Sequence, residues 1–233
     1  MKKIKTLGIV MAVMLVLVVA AFAVLAAMGI FHIETDESGK ISFSPIDKQS
    51  EWEMPLSGKT AVIKTDLGDI TVALADCPAA EEFVALDNMG YFEGAVFSTL
   101  AENMFIKAEV NGPAFETEDT PFACVNGTVC FVKEEEKNFP SFFIVTNKKL
   151  SGLSDAYMQE NGFDKEKIAF YKELGGMPEY EGKSVAFAKV TSGMEVAEKI
   201  AAKENSGYTG GYSAAEPVKI LSIEIIYPTE TNQ

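Results

Sequence analysis

From Thr6 to Phe31 the chain carries no charged residue and consists mainly of Val, Leu, Met and Ala. A helix rises about 1.5 Å per residue, so roughly twenty apolar residues cross a hydrocarbon core, and this run is long enough. Lys2, Lys3 and Lys5 precede it and predict a cytoplasmic N-terminus, with the rest of the chain outside. Residues 1–32 are therefore read as a transmembrane helix. Ala21-Phe22-Ala23 keeps the alternative open, since a small-x-small site suits signal cleavage and would leave a secreted protein. Residues 33–58 then turn polar and acidic, with Gly39, Pro45, Pro55 and Gly58. Apart from a short alternation at Ile41-Ser42-Phe43, nothing there is periodic, which predicts a spacer, with Trp52 packing at the edge of the folded domain.

Beyond the spacer, period-two alternation dominates. Thr60–Thr65 and Asp69–Leu74 flank the turn residues Asp66-Leu67-Gly68 and predict a hairpin. Ala80, Phe83, Leu86 and Met89 recur at helical spacing between Pro78 and Gly90, which predicts a helix with all four inward. Strands are expected over Ala95–Leu100, Met104–Val110, Gly127–Val132, Phe142–Thr146 and Ser184–Thr191, and in two closing segments within Val218–Tyr227. Ser154–Gly175 reads as a short helical pair stopped at Gly162 and Gly175-Gly176, and Met194–Ala202 as a further helix. About eight strands and two main helices, not alternating, favour a mainly β closed antiparallel barrel capped by helices. The domain is expected over 59–228, with the helical insertion at 153–178 and a tail at 229–233.

Composition narrows the chemistry. The net charge of −14 disfavours nucleic acid as a partner. All twenty basic residues are lysines; there is no arginine, and the single histidine, His32, adjoins the apolar run. A histidine general base in the folded domain and any mechanism needing a guanidinium fork are thereby excluded. Cys77, Cys124 and Cys130 lack metal-site spacing. Cys124 and Cys130 flank Asn126-Gly127, so they either face each other across a hairpin or are separate buried thiols. No cofactor and no metal are expected.

Several segments, in order, resemble the cyclophilin-type peptidyl-prolyl isomerases. They are AVIKTDLGDITVAL (Ala61–Leu74), CPAAEEFVALDNMGYFEGAVF (Cys77–Phe97), SFFIVT (Ser141–Thr146), EGKSVAFAKVTSGMEVAEKIA (Glu181–Ala201) and PVKILSIEI (Pro217–Ile225). The helical insertion is similar to one in secreted Gram-positive relatives. The resemblance implies an eight-stranded barrel with two helices, action on proline-containing segments of exported proteins, and a pocket with a catalytic arginine in a Phe-His-Arg strand. Here that strand reads Phe97-Ser98-Thr99, which puts Thr99 at the arginine position. The Phe-Met-Ile-Gln run becomes Met104-Phe105-Ile106-Lys107, with Lys107 a possible substitute cation. Phe143 matches the pocket phenylalanine, Ser141 stands for a glutamine, Glu179-Tyr180 for a Trp-Leu rim, and Ser184 for a histidine. The resemblance thus implies a binding set of Met104, Phe105, Lys107, Phe143 and Tyr180, with weak or lost turnover. The resemblance implies the wall of a smaller binding groove at Glu134-Glu135-Glu136, which by composition reads as a solvated turn.

Overall fold

The computed structural model describes residues 31–35, 41–45, 51–134, 137–150 and 152–228. The expected membrane helix, apart from Phe31 and His32, and the expected tail lie outside them. Among the described residues no helix is long and apolar enough to cross a membrane. Strands β1 (Phe31–Thr35) and β2 (Ile41–Pro45) pair antiparallel with Ile33 opposite Phe43, a hairpin within a unit of its own.

The second unit is built on eight strands: β3 (Leu56–Thr65), β4 (Gly68–Ala75), β5 (Val96–Ala101), β6 (Phe105–Glu109), β7 (Thr128–Glu134), β8 (Lys137–Val145), β9 (Ser184–Ser192) and β10 (Ser213–Ile226). They close in the order β10-β3-β4-β9-β7-β8-β6-β5, every neighbour antiparallel. β10 pairs with both β3 and β5, which removes all sheet edges. It is one long strand with a register shift between Ser213 and Val218, rather than the two short segments expected. β3 starts at Leu56, inside the stretch read as spacer, because Leu56 pairs with Ala75.

Alternation sorts the side chains. Ile63, Ile70, Val72, Leu74, Phe97, Ile106, Phe131, Phe142, Ile144 and Phe187 are fully buried in one cluster that fills the barrel. Helix α1 (Pro78–Asn88) closes one end with Phe83, whose ring lies 4.8 Å from Phe92, 4.9 Å from Phe187 and 5.8 Å from Phe142. Ala80, Phe83 and Leu86 point inward as expected, but Met89 is 64% exposed. The helix ends at Asn88, so Met89 has left the spiral that the spacing assumed.

Helices α2 (Gly152–Glu160) and α3 (Lys165–Leu174) form the insertion. The Asp164 carboxylate caps α3 by accepting from the Lys167 N–H at 2.8 Å. Met158, Phe170 and Tyr171 pack with Trp52, Ala123 and Val125 in a separate buried cluster. Gly176 (φ +125°) closes the insertion where any Cβ would strike the Cys124 and Val125 backbone. Helix α4 (Met194–Ala201) buries Ala197, Ile200 and Ala201, with Met194 only part-buried.

Of the two readings open for Cys124 and Cys130, the structure has the buried free thiols rather than partners across a hairpin. Cys124 lies just before the turn that leads into β7, in which the Thr128 N–H bonds back to the Val125 carbonyl at 3.0 Å. Both thiols are free and buried, with their sulfurs 3.8 Å apart. Truncating the barrel's central ring, Phe83→Ala, is expected to cost about 3–5 kcal/mol. Urea unfolding would check this, and a loss below about 1 kcal/mol would contradict Phe83 as the hub of the core.

Candidate functional site

The strand ladder sets the site. Thr99 pairs with Lys107, Lys107 with Phe143, Phe143 with Cys130, and Cys130 with Ala186. Residues directly opposite on paired strands share a face, and successive residues alternate. Ala108, Phe142 and Phe131 point into the barrel, so Lys107, Phe143 and Cys130 must point out. Phe105, two residues before Lys107, joins them on the outer face. The aromatic residues here are therefore not barrel filling. They belong to an outer cluster of Cys124, Cys130, Phe143, Val145, Met177 and Ala186, against which Met104, Phe105 and Tyr180 pack.

Thr99, Phe105, Lys107, Phe143 and Tyr180 converge on one cavity of about 290 Å³. Three aromatic rings make its apolar wall: Phe143 lies 5.3 Å from Tyr180, Phe105 5.8 Å from Phe143, and Phe105 6.1 Å from Tyr180. Phe143 is 3% exposed, so the wall is solid behind the cavity. Met104 packs nearby in the β5–β6 turn but does not line it. Val132, Lys133, Glu134 and Lys183 complete the lining. None of these four was proposed for the binding set. The register of β7 against β8 brings the first three there, and Glu134, read as part of a solvated turn, borders the cavity.

The polar lining groups are Thr99, Lys107, Lys133, Glu134 and Lys183. Lys107 Nζ sits 2.7 Å from Glu109 Oε1, two residues along the same outer face. At this exposure the pair is worth about 0–1 kcal/mol and does not lock the ammonium, though it offsets part of that one charge. Ser141 Oγ accepts from the Val110 N–H at 3.0 Å and lies 3.5 Å from Glu109 Oε2, so it braces β6 against β8. Ser184 turns away from the cavity: its hydroxyl donates to the Tyr180 carbonyl at 3.0 Å. Burial pushes the Tyr180 phenol up, with Glu179 and Tyr212 adding to it, so the hydroxyl remains a donor at neutral pH. Burial likewise raises the Cys130 thiol well above its usual range. Among the described residues no group of His, Cys, Asp or Glu could hold a metal ion.

The comparisons agree with this architecture. The chain is 24% identical over 213 residues to "Peptidyl-prolyl cis-trans isomerase 9" of Schizosaccharomyces pombe, which covers 84% of this chain and 32% of that protein, about a third of its length. It is 25% identical over 154 residues to "Peptidyl-prolyl cis-trans isomerase cypE" of Dictyostelium discoideum, covering 65% of this chain and 90% of that one. Two solved structures of a cyclophilin type peptidyl-prolyl cis-trans isomerase from Cryptosporidium parvum share the fold at 19% identity. One has a TM-score of 0.54 and covers 72% of this chain and 97% of its own. The other, determined in the presence of the dipeptide Ala-Pro, has a TM-score of 0.53 and covers 72% and 98%. The family profile "Cyclophilin type peptidyl-prolyl cis-trans isomerase/CLD" matches residues 60–225, and with most of the chain matched, it belongs to the cyclophilin-type peptidyl-prolyl cis-trans isomerase family.

Proposed function

We propose that the outer cavity binds proline-containing segments of exported proteins and that isomerase turnover is weak. A prolyl ring needs an apolar slot, and the Phe105, Phe143 and Tyr180 rings supply one. Isomerisation must also lower an amide barrier of roughly 20 kcal/mol, which calls for donors that favour the twisted bond over the planar one. The observation that carries the reading is the row Thr99–Lys107–Phe143. It presents a neutral hydroxyl where the family resemblance implies an arginine, and beside it an ammonium paired with Glu109. A threonine offers one neutral hydrogen bond in place of a planar charged fork.

A second reading, a binding or chaperone module with no turnover, draws on the same pairing, since the aromatic wall persists while the ammonium in the Thr99 row is paired with Glu109. Both readings place the domain outside the cytoplasm, on the strength of Lys2, Lys3 and Lys5 before the uncharged run, held at the membrane or released after cleavage. Protease added to intact cells should then digest it; protection until lysis would contradict that location.

In a protease-coupled prolyl-peptide assay, turnover is expected about 10²–10³ below that of an arginine-bearing family member. A rate equal to buffer at high protein concentration selects the second reading, and a rate matching the arginine-bearing member contradicts both. Thr99→Arg is expected to raise turnover by about tenfold or more. Lys107→Ala is expected to leave turnover unchanged, and a large drop would identify Lys107 as the substitute cation.

A further inference from the structure

The residues flanking Tyr180 are gripped by the helical insertion. Glu179 accepts from the Ser154 hydroxyl of α2 at 3.2 Å. Glu181 is held by two side chains of α3: its Oε1 accepts from the Tyr171 hydroxyl, and its Oε2 lies 2.6 Å from Lys167 Nζ. Both partners are fixed in turn. Tyr171 is fully buried, and its oxygen accepts from the Cys124 N–H at 2.9 Å. Lys167 lies over the rings of Trp52 at 5.6 Å and Phe163 at 5.4 Å. The Tyr180 N–H bonds the Met177 carbonyl, its carbonyl accepts from the Ser184 hydroxyl and the Lys183 N–H, and its ring packs against Phe105 and Phe143 of the barrel. Tyr180 ends a 3-10 turn (Pro178–Tyr180), so Glu179 and Glu181 lie directly on either side of the residue that carries the ring.

We propose that Glu181 is a positioning residue: clamped between Lys167 and Tyr171, it holds the Tyr180 ring against Phe143 and so shapes the cavity wall. The insertion then acts as a buttress for one wall, and its contribution to binding passes through Tyr180 alone. Its consequence for affinity rests on the reading that the cavity takes a prolyl ring; its consequence for the ring does not.

Two readouts test it. Aromatic NMR of the full domain reports the Tyr180–Phe143 ring contact with no ligand present. Glu181→Ala is expected to weaken that contact, while Glu181→Gln, which still accepts from Tyr171, retains it. Titration with an alanyl-proline peptide supplies the second. Glu181→Ala is expected to lower affinity by about tenfold in the native background and to change nothing further in a Tyr180→Ala background, as expected for coupled neighbours. Should Glu181→Ala fail to fold, Lys167→Met and Tyr171→Phe each remove one jaw of the clamp and are read in the same way. An unchanged ring contact, or an equal affinity loss in both backgrounds, would overturn the proposal. If the unmodified protein binds no prolyl peptide, the reading of the cavity fails while the ring contact still decides the role of Glu181.

Discussion

Ile106, Ala108, Phe142 and Ile144 fill a closed barrel, and a β-strand can only alternate. Once those four turn inward, Phe105, Lys107 and Phe143 have nowhere to go but out, and the β5–β6–β8 register lines Thr99 up beside them. The outer site is thus a by-product of core packing. Its position is as firm as the barrel, because moving the register by one residue would bring Lys107 into the core and expose Phe142. This also explains how the apolar wall and the polar row can diverge. The wall packs against a buried cluster of Cys130, Val145 and Ala186 and is held by the fold, whereas Thr99 and Lys107 are only part-buried and belong to no hydrophobic cluster, so core packing constrains them less.

The electrostatics of the row point the same way. A donor that stabilises a twisted amide must be aimed and uncompensated, because its worth lies in favouring one geometry over another. Thr99 is neutral, and Lys107 has a carboxylate at 2.7 Å. On the proposed reading, the cavity would take the prolyl ring against its aromatic wall, while the Thr99–Lys107 row would stabilise the twisted bond only weakly. Its third wall, Tyr180, is supported from outside the barrel, by a helical pair with its own small core around Trp52 and Tyr171.

Much of this was legible in the chain. Alternation at Ile70, Val72 and Leu74 predicted a strand, the count of strands and helices predicted the barrel, and the ordered motifs named five candidate binding residues, of which Phe105, Lys107, Phe143 and Tyr180 line the cavity. The Lys107–Glu109 pair was also within reach, since residues two apart on a strand share a face. Other features were not. Val132, Lys133 and Lys183 reach the cavity only through strand pairing and the path of the chain after Tyr180, which no local pattern encodes. Met89 fitted the helical spacing, yet the spacing does not tell where the helix stops. Asn126-Gly127 had hairpin chemistry, but its partner strand lies elsewhere: β7 pairs with β8 and β9, so the turn only leads into β7. The clamp on Glu181 joins side chains brought together by the insertion's tertiary packing and leaves no periodic trace.

The central claim is that a prolyl ring enters the outer cavity and leaves without its bond being twisted efficiently. Isotope-labelled protein titrated with an alanyl-proline peptide addresses both halves in one NMR experiment. The account predicts saturable shifts of the Phe105, Phe143 and Tyr180 ring signals, while the peptide's cis and trans resonances stay sharp and separate. Shifts confined to other surfaces, or cis and trans signals merging through rapid catalysed exchange, would contradict it.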